Sequence, residues 1–363
     1  MEELKMAAFG CWNVGCKKDS GQESVVNLLK SKENEYNFMI ILGDNYYPEK
    51  INLNKKTKVK QIESTTMKAG FDCLDKINIT KKIIMGNHDI EDGVNQGCSI
   101  LKYQLKLPWY DVKFPFGYEF HHIKSASGYS TLLVLYIDTN LYTDSDMPCY
   151  NQTLNKPREQ LKDDQNYFIV QTLGYITSMS SYNINNVMIC GHEPLITYKY
   201  KENKEKSAFI PELLDLLFNE QYKYKDTNTH FTYVCADLHV YQYSTIVNSA
   251  NNQVINQIIL GTGGGELDDL VPNNKSNVKV VGNYTLNIHR TINGTNGISQ
   301  YGYGELIYNK DGLNHNFISI DNPIYTSYDD SLGYSGYHEV RDDSWYNKYL
   351  KYKNKYLKLK EKL

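Results

Sequence analysis

The chain has 363 residues, enough for a large buried core, and its 39 Lys and Arg nearly balance its 42 Asp and Glu. Residues 344–363 carry seven Lys and one Glu, a net +6, and subtracting this from the total of −3 leaves −9 for residues 1–343. An acidic body argues against a nucleic-acid-binding module, which would depend on the tail alone. No apolar run approaches the roughly 18–20 residues of a membrane span.

The cysteines predict reduced thiols. There are seven, an odd number, and they are scattered along the chain. Four of them, Cys11, Cys98, Cys190 and Cys235, lie within or close to the ends of predicted strands. The N-terminus also lacks the apolar segment of a secretory signal. Together these features predict an intracellular, cytoplasmic protein without a disulfide framework.

Short apolar runs recur along the chain, and each leads into a turn of Gly, Asp, Asn or His. Their length and β-branched content predict buried strands. The runs are Met6–Phe9, Phe38–Leu42, Lys82–Met85, Thr131–Ile137, Val187–Cys190, Phe231–Cys235 and Val254–Leu260.

Helices are predicted between several of these strands. Ser20–Glu23 has the capping-box pattern that starts a helix. Apolar residues from Ile210 to Phe218 follow helical spacing, with Pro211 near the start. Alternation of strands and helices predicts an α/β sheet whose functional residues lie on the turns beyond the strand ends.

Five of these turns are rich in groups that bind metal ions, although a single such turn is more often structural than functional. They are Gly10-Cys-Trp-Asn13, Gly43-Asp-Asn-Tyr-Tyr47, Gly86-Asn-His-Asp89, Gly191-His-Glu-Pro194 and Ala236-Asp-Leu-His239.

The order and spacing of these turns resemble the calcineurin-like metallophosphoesterases. Tyr47 within Gly-Asp-Asn-Tyr-Tyr points to the purple acid phosphatase branch, and the resemblance covers roughly residues 5–308. It implies an α/β fold, a metallophosphoesterase sandwich of two mixed β-sheets flanked by helices. We assign this domain to residues 1–321.

The resemblance also implies a two-metal site in which Asp44 bridges both ions. The other ligands come in two pairs, Tyr47 with His239 and Asn87 with His192. Two cations about 3.5–4 Å apart would neutralise a phosphate ester and activate water. A Tyr phenolate favours Fe(III), so we expect iron with zinc, manganese or a second iron.

His88 is expected just outside the metals, facing the phosphate. An imidazole there can stabilise or protonate the leaving oxygen, which is general-acid catalysis. Lys201 follows His192 by nine residues, where mammalian-type members of the family have a second His. It is a candidate for binding substrate phosphate, and a solvated Lys in a charged run is the alternative.

Two ligand positions depart from the family pattern. Cys11 replaces the Asp of the first turn, and Asp237 replaces a His in the last. A thiolate binds zinc or iron, and a carboxylate is an acceptable ligand, so both residues remain candidate ligands. The leading hypothesis is therefore a phosphoric monoester hydrolase acting on a phosphorylated small molecule or phosphoprotein. The alternative is a catalytically degenerate scaffold or binding protein.

The C-terminal segment has its own pattern. Residues 322–343 are poor in aliphatics and predict a linker or strap, whereas 344–363 place large apolar groups on one stripe and Lys elsewhere. This predicts a basic amphipathic helix that binds a partner helix, an anionic surface or its own body. The segment also weakly resembles Lys- and Tyr-rich tails of large DNA virus proteins, which would imply a location in host cytoplasm or the virion.

Overall fold

The computed structural model describes residues 2–320 apart from 48, 55–56, 62–63, 92–96, 126–127, 144–147, 179–183, 202–203, 226, 228, 271–275 and 290–296. The predicted linker at 322–343 and basic helix at 344–363 lie outside the described residues. In the described part of the chain, no helix combines the length and apolar character needed to cross a membrane.

Strands and helices are interspersed over residues 4–222, as the apolar runs predicted, whereas the described residues from His230 to Ser319 form seven successive strands. The strands are β1 Leu4–Phe9, β2 Phe38–Leu42, β3 Glu49–Asn54, β4 Thr57–Gln61, β5 Thr80–Ile84, β6 Tyr110–Val112, β7 Gly117–Ser125, β8 Gly128–Tyr136, β9 Ile184–Cys190, β10 Ile196–Lys201, β11 Lys204–Phe209, β12 His230–Cys235, β13 Tyr241–Asn248, β14 Gln253–Leu260, β15 Val278–Val281, β16 Tyr284–Ile288, β17 Gly302–Asn309 and β18 Gly312–Ser319. The helices are α1 Gly21–Ser31, α2 Ser64–Leu74, α3 Asn87–Ile90, α4 Ser99–Gln104, α5 Cys149–Leu154, α6 Arg158–Ser178 and α7 Pro211–Tyr222.

Two large mixed sheets form the body. The six-stranded sheet has the order β18-β17-β1-β2-β5-β6, and the eight-stranded sheet has the order β15-β16-β13-β14-β12-β9-β8-β7. The central strands of each sheet are parallel. Antiparallel strands lie at both edges of the eight-stranded sheet and at the β18 edge of the six-stranded sheet, whereas its other edge strand, β6, is parallel to β5. The two hairpins β3-β4 and β10-β11 lie outside these sheets. The expected sandwich of two mixed sheets flanked by helices is confirmed.

Alternate residues of the strands enter different cores, which explains the continuous apolar runs. On β8, Leu132 and Val134 pack between the two sheets, whereas Leu133 and Leu135 face the apolar residues of α6 and α7. On the six-stranded sheet, Ala7 faces α1 and α2. Both faces of each sheet are therefore covered, and the carboxyl ends of the parallel strands remain available for a site.

The local helix signals are also confirmed. The Ser20 hydroxyl accepts a hydrogen bond from the Glu23 backbone N–H, capping α1 as the capping-box pattern predicted. Pro211 begins α7, where its missing N–H has no helical partner to lose.

The prediction of reduced thiols is wrong for four of the seven cysteines. Cys16 pairs with Cys73, and Cys98 pairs with Cys149. The three free cysteines, Cys11, Cys190 and Cys235, are buried. Pairs separated by 57 and 51 residues are brought together only by the packing of distant segments, which spacing along the chain does not reveal. Because disulfides persist mainly in oxidising compartments, the cysteine pattern no longer supports an intracellular location.

Candidate metal centre

The five predicted turns all follow parallel strands, β1, β2, β5, β9 and β12. Three of their residues, Cys11, Asp44 and Asp237, have positive φ angles of 54°, 51° and 52°. This left-handed conformation costs a non-glycine residue about 1 kcal/mol, and such strain is concentrated at functional sites. The turns after β1, β2 and β12 therefore share one backbone conformation at the candidate ligand position.

Cys11, Asp44 and His192 form the centre of the site. Their candidate ligand atoms all lie within 4.8 Å of one another, and all three residues are buried. His192 Nε2 is 3.2 Å from Asp44 Oδ1 and 3.2 Å from Asn87 Oδ1. The structure thus brings residues from four separate turns into one cluster of electron-pair donors.

The orientation of His192 is set by a backbone carbonyl. Its Nδ1 lies 2.7 Å from the Leu42 oxygen, an acceptor, so Nδ1 carries the proton that it donates. In the neutral ring Nε2 then presents a lone pair to the acceptor oxygens of Asp44 and Asn87. Lone pairs that face one another at this distance repel, so a proton or another cation must lie between Nε2 and these oxygens. Ligating histidines in proteins commonly have this arrangement, with the second nitrogen bonded to a carbonyl or carboxylate.

His239 has the same arrangement on the other side of Asp44. Its Nδ1 hydrogen bonds to the Glu266 carbonyl oxygen, and its Nε2 lies 3.0 Å from the Tyr47 hydroxyl. Tyr47 in turn donates to Asp44 Oδ2 at 2.9 Å. The two carboxylate oxygens of Asp44 therefore face different partners, Oδ1 the His192 side and Oδ2 the Tyr47 side.

Charge at the centre is balanced by protons on the histidine side. Burial opposes the charge on His192, but the neighbouring Asp44 carboxylate raises the His192 pKa to about 10. Burial likewise opposes ionisation of Asp44, but His192 and His88 hold its pKa below the usual range. Burial and then Asp44 raise the pKa values of the Cys11 thiol and the Tyr47 hydroxyl. A cation at the centre would reverse these preferences, because each of these groups ligates in its deprotonated form.

His88 lies at the rim of the candidate centre. Its side chain is 29% exposed, and its Nε2 is 3.9 Å from Asp44 Oδ2. Its backbone N–H donates to Asp44 Oδ1 at 3.1 Å, and its ring packs against Tyr47. His88 is therefore close to the centre while remaining accessible.

Asp237 and Lys201 differ from the other candidates. The Asp237 carboxylate is outside the Cys11–Asp44–His192 group. Lys201 ends β10, and its side chain lies outside the described part of the chain. Metal binding by Asp237 and phosphate binding by Lys201 stay predictions.

Glycine at position 86 permits the close approach of the turns. A Cβ atom there would lie 2.3 Å from both the backbone N and the Oδ1 of Asp44, and 2.8 Å from His192 Nε2. Such contacts with buried atoms require the site to move. Gly86 thus allows Asp44 and His192 to meet across the β5 turn.

Sequence reasoning missed the network that supports the Asp44 and Asn87 turns. The buried Asp89 carboxylate accepts hydrogen bonds from the backbone N–H groups of Gly86 and Asn45, at 2.8 and 2.9 Å. Gln104 on α4 donates to Asp89 at 2.7 Å and accepts from the Asn45 amide at 2.9 Å. Asn45 and Asp89 lie within the motifs, but Gln104 has no motif of its own.

A second network supports the His192 turn. Tyr150 on α5 donates to Asp138 Oδ2 at 2.6 Å, and Asp138 follows β8. The adjacent Thr139 hydroxyl accepts from the Glu193 backbone N–H at 3.0 Å. Ile137–Thr139 fits the family resemblance, but only the structure shows that it supports the turn carrying His192.

Comparisons with known proteins identify a shared fold. No family model matches the sequence, and no curated protein matches it. The structure is similar to that of GAP50, the anchor in the inner membrane complex of Plasmodium, with a TM-score of 0.55 and 15% identity over 95% of this chain and 91% of that one. A second solved structure, TT1561 of Thermus thermophilus, has a TM-score of 0.33 and 11% identity over 71% of this chain and 89% of that one, too weak a likeness to carry an argument. The chain therefore shares the fold of the GAP50 structure, a sandwich of two mixed sheets flanked by helices.

Proposed function

We propose that this chain hydrolyses phosphomonoesters with the help of metal ions held by the turns of the candidate centre. The observation that carries the proposal is the shared orientation of His192 and His239. Each has Nδ1 bonded to a backbone carbonyl and Nε2 directed at the groups around Asp44. Two histidines with this orientation beside a shared carboxylate are typical of a metal site rather than of a packed core.

The donor set fits two ions. Asp44 would contact both, since its two oxygens face different sides of the cluster. Tyr47 and His239 would hold one ion, and Asn87 with His192 the other. When bound, the ions would neutralise phosphate charge and lower the pKa of water.

The remaining residues complete the assignment. Cys11 contributes a thiol beside Asp44, with its sulfur 4.0 Å from Asp44 Oδ2. The mixed set of carboxylate, phenol, imidazole and thiol suits iron with zinc, manganese or a second iron. His88, half-buried at the rim, would donate a proton to the leaving oxygen of the substrate. The substrate class is a phosphorylated small molecule or a phosphoprotein.

A second candidate is a phosphatase-fold scaffold or binding protein without turnover. It is favoured by the replacement of a carboxylate by Cys11, whose pKa is raised by burial and by Asp44, so that the metal-free thiol is neutral. The similar structure of GAP50 belongs to a protein described as an anchor. The two functions differ in whether the centre turns over a phosphate ester.

Metal content and hydrolysis of an aryl phosphate, measured on the same purified protein, test the proposal. We expect bound transition metal and turnover in the wild type, and loss of both in Asp44→Asn. Asp163→Asn is the matched control, because it makes the same chemical change at an exposed position on α6. Wild-type protein that binds no metal after reconstitution with iron, zinc or manganese would reject the enzyme and favour the scaffold.

A further inference from the structure

The Cys98–Cys149 disulfide joins the two helices that support opposite sides of the candidate centre. Cys98 immediately precedes α4, Cys149 begins α5, and their Cα atoms are 5.5 Å apart. Both residues are fully buried in an apolar cluster. The other buried members of this cluster are Met85, Ile90, Leu101, Leu141, Tyr150 and Leu161.

From α4 the support reaches the Asp44 and Asn87 turns. Gln104 is bonded to Asp89 and to Asn45, and Asp89 holds the backbone of Gly86, one residue before Asn87. Asn45 also donates to the Ile84 carbonyl at 2.8 Å, at the end of β5. Displacement of α4 would therefore move both turns that supply oxygen ligands.

From α5 the support reaches the His192 turn. Tyr150 bonds to Asp138, whose other oxygen accepts from the Asn140 backbone and side chain at 3.0 and 2.8 Å. This fixes Thr139, which accepts from the Glu193 N–H beside His192. Displacement of α5 would therefore move the imidazole side of the centre.

We propose that Gln104 and Tyr150 are positioning residues for the centre, and that the Cys98–Cys149 disulfide keeps their helices in register so that metal affinity depends on this bond. The effect of the disulfide on metal affinity rests on the proposed function, whereas its support of the two turns does not. Asn87 and His192 face each other at 3.2 Å, so a small shift of either helix separates them. Supporting residues of this kind typically change metal affinity about 10- to 100-fold.

The test compares two double variants of the full-length protein, Cys98→Ser/Cys149→Ser and Cys16→Ser/Cys73→Ser. The disulfides span similar separations, 51 and 57 residues, so their loss relaxes the unfolded chain to a similar extent. The Gly86 and Glu193 amides report on the two supports by hydrogen exchange. We expect exchange at both to be about tenfold faster in the first variant than in the second. Equal exchange rates at these amides in the two variants would overturn the proposal that the Cys98–Cys149 disulfide keeps α4 and α5 in register.

Cobalt(II) titration of the same proteins reports the effect on the centre. We expect a cobalt Kd about tenfold weaker in Cys98→Ser/Cys149→Ser and an altered ligand-field absorption spectrum. An unchanged Kd and spectrum, with wild type binding cobalt, would overturn the dependence of affinity on the disulfide. Absence of cobalt binding by the wild type would instead reject the proposed function. The hydrogen-exchange rates would still show whether the disulfide supports the two turns.

Two single variants separate the two sides with the disulfide intact. Gln104→Ala should accelerate exchange at Gly86 and leave Glu193 unchanged, because it breaks the contacts to Asp89 and Asn45. Tyr150→Phe should do the reverse, since it removes only the hydroxyl bonded to Asp138. These variants keep the proposal testable if the cysteine variant does not fold. If either variant accelerated exchange equally at the Gly86 and Glu193 amides, Gln104 and Tyr150 would not support separate turns.

Discussion

His192 Nε2 lies 3.2 Å from Asp44 Oδ1 while the other nitrogen of the same ring is bonded to the Leu42 carbonyl. A buried imidazole in this position must be shared with a proton or a metal ion, because the oxygens that it faces are acceptors. Asp44 raises the His192 pKa to about 10 against the effect of burial, so the metal-free centre carries the proton. The candidate function therefore depends on whether a metal ion replaces this proton between Asp44 and His192.

Substitution of Cys11 tests whether the first turn contributes to the centre. Cys11→Asp restores the carboxylate of the family pattern and should raise kcat/KM for an aryl phosphate several-fold, because a carboxylate ionises far more readily than this buried thiol. Cys11→Ser should weaken one of the bound metals. Steady-state kinetics and metal titration measure these effects. Identical turnover in wild type and both variants would show that the first turn is not part of the site.

Substitution of Gly86 tests the close approach of the turns. In Gly86→Ala the new Cβ would meet Asp44 N and Oδ1 at 2.3 Å, so we expect a loss of about 1–3 kcal/mol in stability and strongly weakened metal binding. Denaturant unfolding and metal titration measure the two effects. Gly174→Ala is the control, since its Cβ would meet nothing within 4 Å in α6 and should be neutral or stabilising. Equal metal affinity in both variants would contradict the prediction.

The half-buried His315, whose ring lies against Tyr241 and Tyr243 of the other sheet, predicts a dependence of stability on pH. Burial and then His289 lower the His315 pKa to about 4, from an ordinary value of 6.5. Below pH 6.5 the unfolded chain binds a proton at His315 that the folded chain does not bind until about pH 4. The stability from neutral His315 is therefore complete above pH 6.5 and is lost as pH falls towards 4.

His315→Phe should flatten this dependence while keeping the ring contacts with Tyr241 and Tyr243. Denaturant midpoints measured at pH 7.5 and 5.0 would show it. The wild type should lose more stability between the two values than the variant. If wild type and variant lost the same stability between pH 7.5 and 5.0, groups other than His315 would cause the acid sensitivity.

Deletion of residues 344–363 tests the predicted basic helix. The six large apolar residues of this segment follow a heptad stripe, but fewer than three heptads form a stable helix only when docked. We expect the truncated protein to keep its hydrolytic activity while its oligomeric mass or salt-sensitive binding to a polyanion changes. Light scattering and titration against heparin at two salt concentrations measure these properties. A truncated protein that unfolds or loses turnover would refute this separation of tail and body.

The sequence by itself determined seven of the eighteen described strands, β1, β2, β5, β8, β9, β12 and β14, and the types of candidate ligand on the five turns that follow β1, β2, β5, β9 and β12. These features are local: an apolar run specifies a buried strand, and Gly-Asp-Asn or Gly-Asn-His-Asp specifies the turn beyond it. Parallel pairing of β2 with β5 brings Asp44 and Asn87 to one edge of the six-stranded sheet, and the packing of the two sheets brings His192, which follows β9, beside them. For this reason six candidate residues, Cys11, Asp44, Tyr47, Asn87, His192 and His239, lie in one cluster.

Only the tertiary structure decided which distant segments support that cluster. The pairing of Cys98 with Cys149 and the bonds of Gln104 and Tyr150 depend on how α4 and α5 pack, and no local pattern records that packing. The same holds for the position of Asp237, since its motif fits a ligand turn while its carboxylate lies outside the central group. Contacts between segments far apart in the chain arise from burial of shared apolar surface, which composition and spacing do not encode residue by residue.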